Sequence, residues 1–194
     1  MPLDAICLQA VVEELRLQLL NLRIDKVQQP ARDQVILLLR GNKRLLLNAG
    51  ANSPRIQLTK LSRDNPAEPP MFCMLLRKHL LGAKLTEVTQ PPMERAAAFT
   101  FDCTDEMGFP VQKRLVAELM GRTCNLYLLG PDGRILDCLR RIGLDETTRR
   151  PALPGLHYQE PEPVHKENPL TFEDYGNLLN KPGADLLSDR LMDG

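Results

Sequence analysis

Apolar side chains recur at Ile6, Leu8, Val11, Val12, Leu15, Leu19 and Leu20, close to the 3.6-residue period of a helix, and Asp4 stands two residues after Pro2 where an N-cap would sit. The pattern predicts a helix over 4–20 with one buried face. The period then shortens. Residues 23–28, 34–40 and 45–48 read as strands, the last two joined through Gly41-Asn42, a tight-hairpin dipeptide that makes them antiparallel. A Pro-rich loop, "SRDNPAEPP", leads through Pro69-Pro70 into "MFCMLLRKHLLG", apolar for two turns, then basic, and stopped by Gly82. This predicts a core helix with a charged end.

Short strands follow at 84–89, 96–102, 113–119, 125–129 and 135–140, separated by turn chemistry such as Glu106-Met107-Gly108 and Pro131-Asp132-Gly133. Two helices and roughly eight strands in meander order predict an α+β fold, with antiparallel sheets and the helices packed at one side. Residues 150–169 are Pro-rich and read as a domain exit; the segment after them is helical in character but too short for a core of its own, so the chain reads as cut from something longer.

A chain of 194 residues that is 43% hydrophobic can bury a sizeable core. Its apolar runs are broken by charge well short of a bilayer span, and no basic stretch followed by an apolar one opens it, so a soluble cytoplasmic protein without membrane association is expected. Five cysteines, Cys7, Cys73, Cys103, Cys124 and Cys138, show no C-x-x-C spacing, which argues against a disulfide framework or a zinc cage. Net charge is zero, but it is unevenly spread: of 25 acids and 25 bases, residues 159–194 hold eight and three, so residues 1–158 carry a surplus of five bases. The bases cluster at Arg40/Lys43/Arg44, Arg77/Lys78/His79, Arg140/Arg141 and Arg149/Arg150, and local clustering of this kind is what a phosphate backbone recognises.

Enzyme signatures are absent. There is no Gly-rich phosphate loop, no G-x-S-x-G and no H-E-x-x-H. Cys73 and His79 share a predicted helix but lie roughly 240° apart around it, so they cannot share a metal. No metal, cofactor or catalytic residue is expected. Two polar groupings stand out. In "VAELMGRTCNLYLL", Glu118 closes a strand, Arg122 lies at a turn that needs Gly121, and Asn125 opens the next strand; the three read either as ordinary strand–turn–strand residues or as a polar network where strands meet. In "QPPMERAAAFTF", Glu94 and Arg95 sit between a rigid Pro91-Pro92 corner and an apolar strand, and read either as a surface pair or as groups presented to a ligand.

The segments "MPLDA", "RIDKVQQP", "RLLLNAGANSPRIQLT", "PPMFCMLLRKHLLGAKL", "MERAAAFTF", "AELMGRTCNLYLL" and "RPALPGLHYQEP" resemble, in this order, the N-terminal domain of the NFACT family. That family includes bacterial RqcH, eukaryotic NEMF and proteins known as fibronectin-binding protein A. The resemblance runs from Met1 to about Pro161; residues 162–194 would be a linker and the start of a helix-hairpin-helix domain. It implies a β-sandwich flanked by helices, similar to the N-terminal domain of formamidopyrimidine-DNA glycosylases. It also implies a non-enzymatic role in ribosome-associated quality control: binding the large ribosomal subunit with its stalled nascent chain and recruiting tRNA, in bacteria alanyl-tRNA, for C-terminal tailing by the ribosome. The family's tRNA-handling residues, an acid near the N-terminus and an Asp-Arg pair, fall on Asp4 and on Glu94-Arg95, with Glu in place of Asp.

Two other functions compete. In the glycosylases an N-terminal Pro followed by Glu is the catalytic pair; Pro2 is present here, but position 3 is Leu. A fibronectin-binding adhesin is the other, without an export signal or wall anchor in this sequence.

Overall fold

The computed structural model describes residues 3–61, 63, 65–143 and 150–161. Pro2 and residues 162–194 lie outside them, and with them the expectations about an N-terminal nucleophile and a following domain. Helix α1 spans Ala5–Leu19 and buries Leu8, Val12, Leu15 and Leu19, one face at alternating spacings of four and three. Asp4 caps it: the Cys7 N–H donates to Asp4 Oδ1 at 2.7 Å. The helix ends where Asn21 turns to positive φ, 68°, a conformation that Asn tolerates better than most residues.

Four strands follow, β1 (Ile24–Ala31), β2 (Gln34–Leu39), β3 (Lys43–Asn48) and β4 (Arg55–Leu58), paired in sequence order and antiparallel throughout. Gly41 and Asn42 both take positive φ, 79° and 58°, the handedness that matches the twist of a hairpin. Strand β4 is an addition to the predicted set. After it, α2 (Met71–Leu80) buries Phe72, Cys73, Leu76 and Leu80 and ends in Arg77, Lys78 and His79. A second antiparallel meander completes the fold: β5 (Lys84–Thr89), β6 (Ala96–Thr104), β7 (Pro110–Glu118), β8 (Asn125–Leu129) and β9 (Ile135–Cys138). The architecture is α+β, with antiparallel sheets flanked by helices.

One core unites the layers. Leu15 of α1, Leu37 and Leu47 of the first sheet, Leu76 of α2 and Phe99, Leu115 and Leu126 of the second are all fully buried and belong to one cluster, each contributing about 1.5–3 kcal/mol by leaving water. The sheets also meet through backbone: the Ile24 N–H donates to the Ala83 carbonyl (3.0 Å) and the Gly82 N–H to the Ile24 carbonyl (2.8 Å). Arg140 forms a third link. Its Nη2 donates to Asp33 Oδ1 (2.8 Å) and the Ala49 carbonyl (2.9 Å) on the first sheet, and its Nη1 to the Cys124 carbonyl (3.2 Å) beside the second.

The Pro-rich segment beginning at Arg150 does not simply leave the domain. Residues 150–158 lie along the far face of the second sheet, where Ala152 is buried with Val116, Tyr127, Leu129, Ile135 and Cys138, and isolated bridges pair Ile142 with Ala152 and Arg134 with His157. All five cysteines are free, and all but Cys7 are buried. Among the described residues no helix is long and apolar enough to cross a membrane, and no cluster of His, Cys, Asp and Glu could hold a metal ion.

Candidate functional site

Residues 90–95 form the corner between β5 and β6. Pro91, Pro92, Met93 and Glu94 make a turn closed by the Glu94 N–H donating to the Pro91 carbonyl at 3.1 Å. Pro92 supplies its second position, and Met93 at the third takes a positive φ of 55°, the combination a type II turn uses, although that third position ordinarily goes to Gly or Asn. Arg95 follows and is fixed at once, its carbonyl accepting from the Leu119 N–H at 2.8 Å; Ala96 then pairs with Glu118 to start the β6–β7 ladder. The direction in which the chain leaves the corner is therefore set on both sides of Arg95.

The corner is joined to the start of α1 by one side chain. Gln90 Nε2 donates to the Ala5 carbonyl and to the Glu94 carbonyl, each at 2.8 Å. Ala5, next to Asp4, and Glu94, next to Arg95, are far apart in the sequence, yet both of their carbonyls accept from this amide. Asp4 is exposed, and the hydrogen bond from the Cys7 backbone holds its carboxyl below the ordinary aspartate range. Glu94 corrects the simple surface-pair reading, since only 8% of it is exposed. Arg95 is half-buried, and its charge reaches Cys124: burial pushes that thiol up, while Arg140 and Arg95 oppose the shift.

The second polar grouping divides. Glu118 and Asn125 are directly opposite in the β7–β8 ladder, but they bond elsewhere. Glu118, 1% exposed, accepts from Arg150 Nη2 (2.6 Å) and from the Tyr158 hydroxyl (2.7 Å) on Oε1. Asn125 bonds both backbone groups of Arg140, accepting from its N–H (2.9 Å) and donating to its carbonyl (2.8 Å). The Arg122 side chain lies outside the described set; its backbone is in a single 3₁₀ turn, Gly121–Thr123, where Gly121 has a φ of 52°. Tyr127 and Tyr158 pack with ring centroids 5.1 Å apart, and burial together with the Glu118 charge pushes the Tyr127 hydroxyl up to about 12. Arg150 and Tyr158 were not among the predicted site residues, because nothing local marks them as partners of a strand 32 and 40 positions earlier.

The sequence pattern described as NFACT N-terminal and middle domains matches residues 4–193. The chain belongs to the NFACT family. Among curated relatives, the Rqc2 homolog RqcH of Streptococcus pneumoniae serotype 2 is 36% identical over 178 residues, covering 90% of this chain and 32% of that protein. The RqcH of Streptococcus suis is 34% identical over the same length and again covers 90% and 32%. The chain thus spans about a third of these relatives. Among solved structures, the N-terminal domain of the fibronectin-binding protein PavA from Streptococcus pneumoniae superposes with a TM-score of 0.84 at 35% identity, covering 93% of this chain and 70% of that one.

Proposed function

We propose that this chain is the RNA-engaging N-terminal part of a ribosome-associated quality control factor of the NFACT family. In this role it binds the large ribosomal subunit that carries a stalled nascent chain and recruits tRNA, alanyl-tRNA by family resemblance, so that the ribosome extends the chain at its C-terminus. Such a factor works in the cytoplasm and catalyses nothing itself. The observation that carries the proposal is the Gln90 amide, which ties the backbone next to Asp4 to the backbone of Glu94. It supports the reading by bringing the residue after Asp4 and the acid of the acid–arginine pair to one amide, a proximity that a shared RNA contact would use. A planar guanidinium held there suits a phosphate or a base edge, and the basic surplus of residues 1–158 assists approach of a polyanion. By the same family resemblance, the fold would be similar to the N-terminal domain of formamidopyrimidine-DNA glycosylases.

The test is cosedimentation of the purified full-length protein with large subunits bearing a stalled peptidyl-tRNA. Comigration that is lost when the nascent-chain complex is replaced by vacant subunits supports the proposal; absence of comigration with either contradicts it. Fibronectin binding is a second reading, favoured by the similarity to PavA. It predicts saturable binding of immobilised fibronectin by the same preparation. A glycosylase role is disfavoured by Leu3, which packs against the core where the catalytic acid would be needed.

A further inference from the structure

Between the end of α2 and the adjoining edges of both sheets lies a cleft of roughly 560 Å³, away from the 90–95 corner, walled by Arg23, Lys78, His79, Lys84, Asp102 and backbone near Gly82. Behind it, Lys113 is only 7% exposed and sets its Nζ 3.0 Å from His79 Nδ1. A lysine ammonium can only donate, so Nδ1 accepts and the ring proton resides on Nε2. His79 therefore offers the cleft a donor. Burial and the neighbouring Lys113 and Lys78 charges hold His79 below its ordinary value, with Glu106 opposing them, so this donor is a neutral imidazole near pH 7.

The other walls are donors too. Arg23 uses one nitrogen, Nη1, on the Gly82 carbonyl (2.7 Å) and has the rest of its guanidinium to spare. Lys84 makes no ion pair among the described residues; its cross-strand neighbour Asp102 accepts instead from Gln112 Nε2 at 3.1 Å. Lys78 reaches Glu106 at 2.7 Å, but both groups are well exposed, so that pair yields readily to a better partner. Three of the carbonyls near the end of α2 are already engaged: Arg77 O accepts from Leu81 N–H, Leu80 O from Ala83 N–H and Gly82 O from Arg23. Four cations, Arg23, Lys78, Lys84 and Lys113, face two acids, Asp102 and Glu106.

We propose that this cleft is a phosphate-binding site, in which the Lys78 and Lys84 ammoniums, the free edge of Arg23 and the His79 Nε2–H converge on the oxygens of one phosphate group. The charged side chains of the wall are donors except for Asp102, and donors of this kind suit a ligand made of acceptors, to which phosphate oxygens make strong charge-assisted hydrogen bonds. The phosphate is either a backbone phosphodiester of RNA, in which case the cleft is a second RNA contact and rests on the function proposed above, or a free phosphomonoester, in which case it does not.

The experiment follows the imidazole signals of His79 by NMR in the chain while inorganic phosphate, and separately a short single-stranded oligoribonucleotide, is added at constant ionic strength set with chloride. Saturable movement of the His79 signals, weakened at least about fivefold by Lys78→Ala with Lys84→Ala and strengthened about twofold by Glu106→Gln, which frees Lys78 and removes an acid, is the expected result. Saturation by the oligoribonucleotide at lower concentration than by phosphate assigns the site to RNA; the reverse assigns it to a phosphomonoester. Arg95→Ala should leave the phosphate titration unchanged, so failure of the corner as a tRNA contact is read separately from failure of the cleft. No saturable movement with either ligand, or equal response in the wild-type and double-alanine proteins, overturns the proposal.

Discussion

Glu118 closes β7 with its carboxylate buried, and the charge that neutralises it is Arg150, at 2.6 Å. The pair, with the Tyr158 hydroxyl completing it, fastens the segment after Arg150 to the second sheet. Removing one member of a buried pair leaves the other uncompensated, a loss of about 3–5 kcal/mol when burial is complete. Arg150 is partly open to solvent, with 29% of its side chain exposed. Arg150→Met should therefore cost about 2–3 kcal/mol in denaturant unfolding, and Tyr158→Phe about 1–2 kcal/mol. A change below about 0.5 kcal/mol for Arg150→Met would mean that the segment is held by its apolar contacts alone.

Met93 is the strained point of the candidate corner, with a positive φ of 55° where a side chain is disfavoured by about 1–2 kcal/mol. Glycine there relieves the strain but loses more chain entropy on folding. Met93→Gly should therefore leave stability within about 0.5 kcal/mol, whereas Met93→Val, β-branched, should lose about 1–2 kcal/mol. Thermal unfolding of the two variants checks this, and equal destabilisation by both would show that the Met93 side chain matters more than the turn.

His79 has its pKa lowered in the folded chain, first by burial and then by Lys113 and Lys78, against the opposing charge of Glu106. Its unfolded value is the higher one, so protonation favours unfolding. Stability is unaffected by this group above about pH 6.5 and declines as pH falls from there through the lower folded value, below which the loss is complete. The melting temperature between pH 7.5 and 5 should fall less steeply in His79→Gln than in the wild type; parallel curves would contradict the assignment.

Local signals made much of this architecture legible. The Leu8, Val12, Leu15, Leu19 period and the Asp4 cap mark α1, Gly41-Asn42 marks the β2–β3 hairpin, and β5 and β8 coincide with the strands expected at 84–89 and 125–129. Strand β4 was not legible, because Ile56 and Leu58 are the only apolar residues in a four-residue strand that exists through its pairing with β3. The corner was half legible. Pro91-Pro92 announces a turn, but the burial of Glu94 and the Gln90 bond to Ala5 depend on a contact across 85 positions. The partners of Glu118 were hidden for the same reason, in a Pro-rich stretch with no hydrophobic period of its own.

The central claim is that the corner built from Asp4, Glu94 and Arg95 contacts tRNA, and the most direct measurement is the tRNA affinity of the full-length protein and its Arg95→Ala variant across a salt series, with thermal unfolding as the folding control. Loss of one charge-assisted contact should weaken binding by about 1.5–3 kcal/mol and reduce the salt slope by about one phosphate's worth, with the melting temperature little changed because Arg95 is held in the fold through its backbone carbonyl. Equal affinity and equal slope in the two folded proteins would contradict the claim and leave the Glu94-Arg95 corner a structural turn.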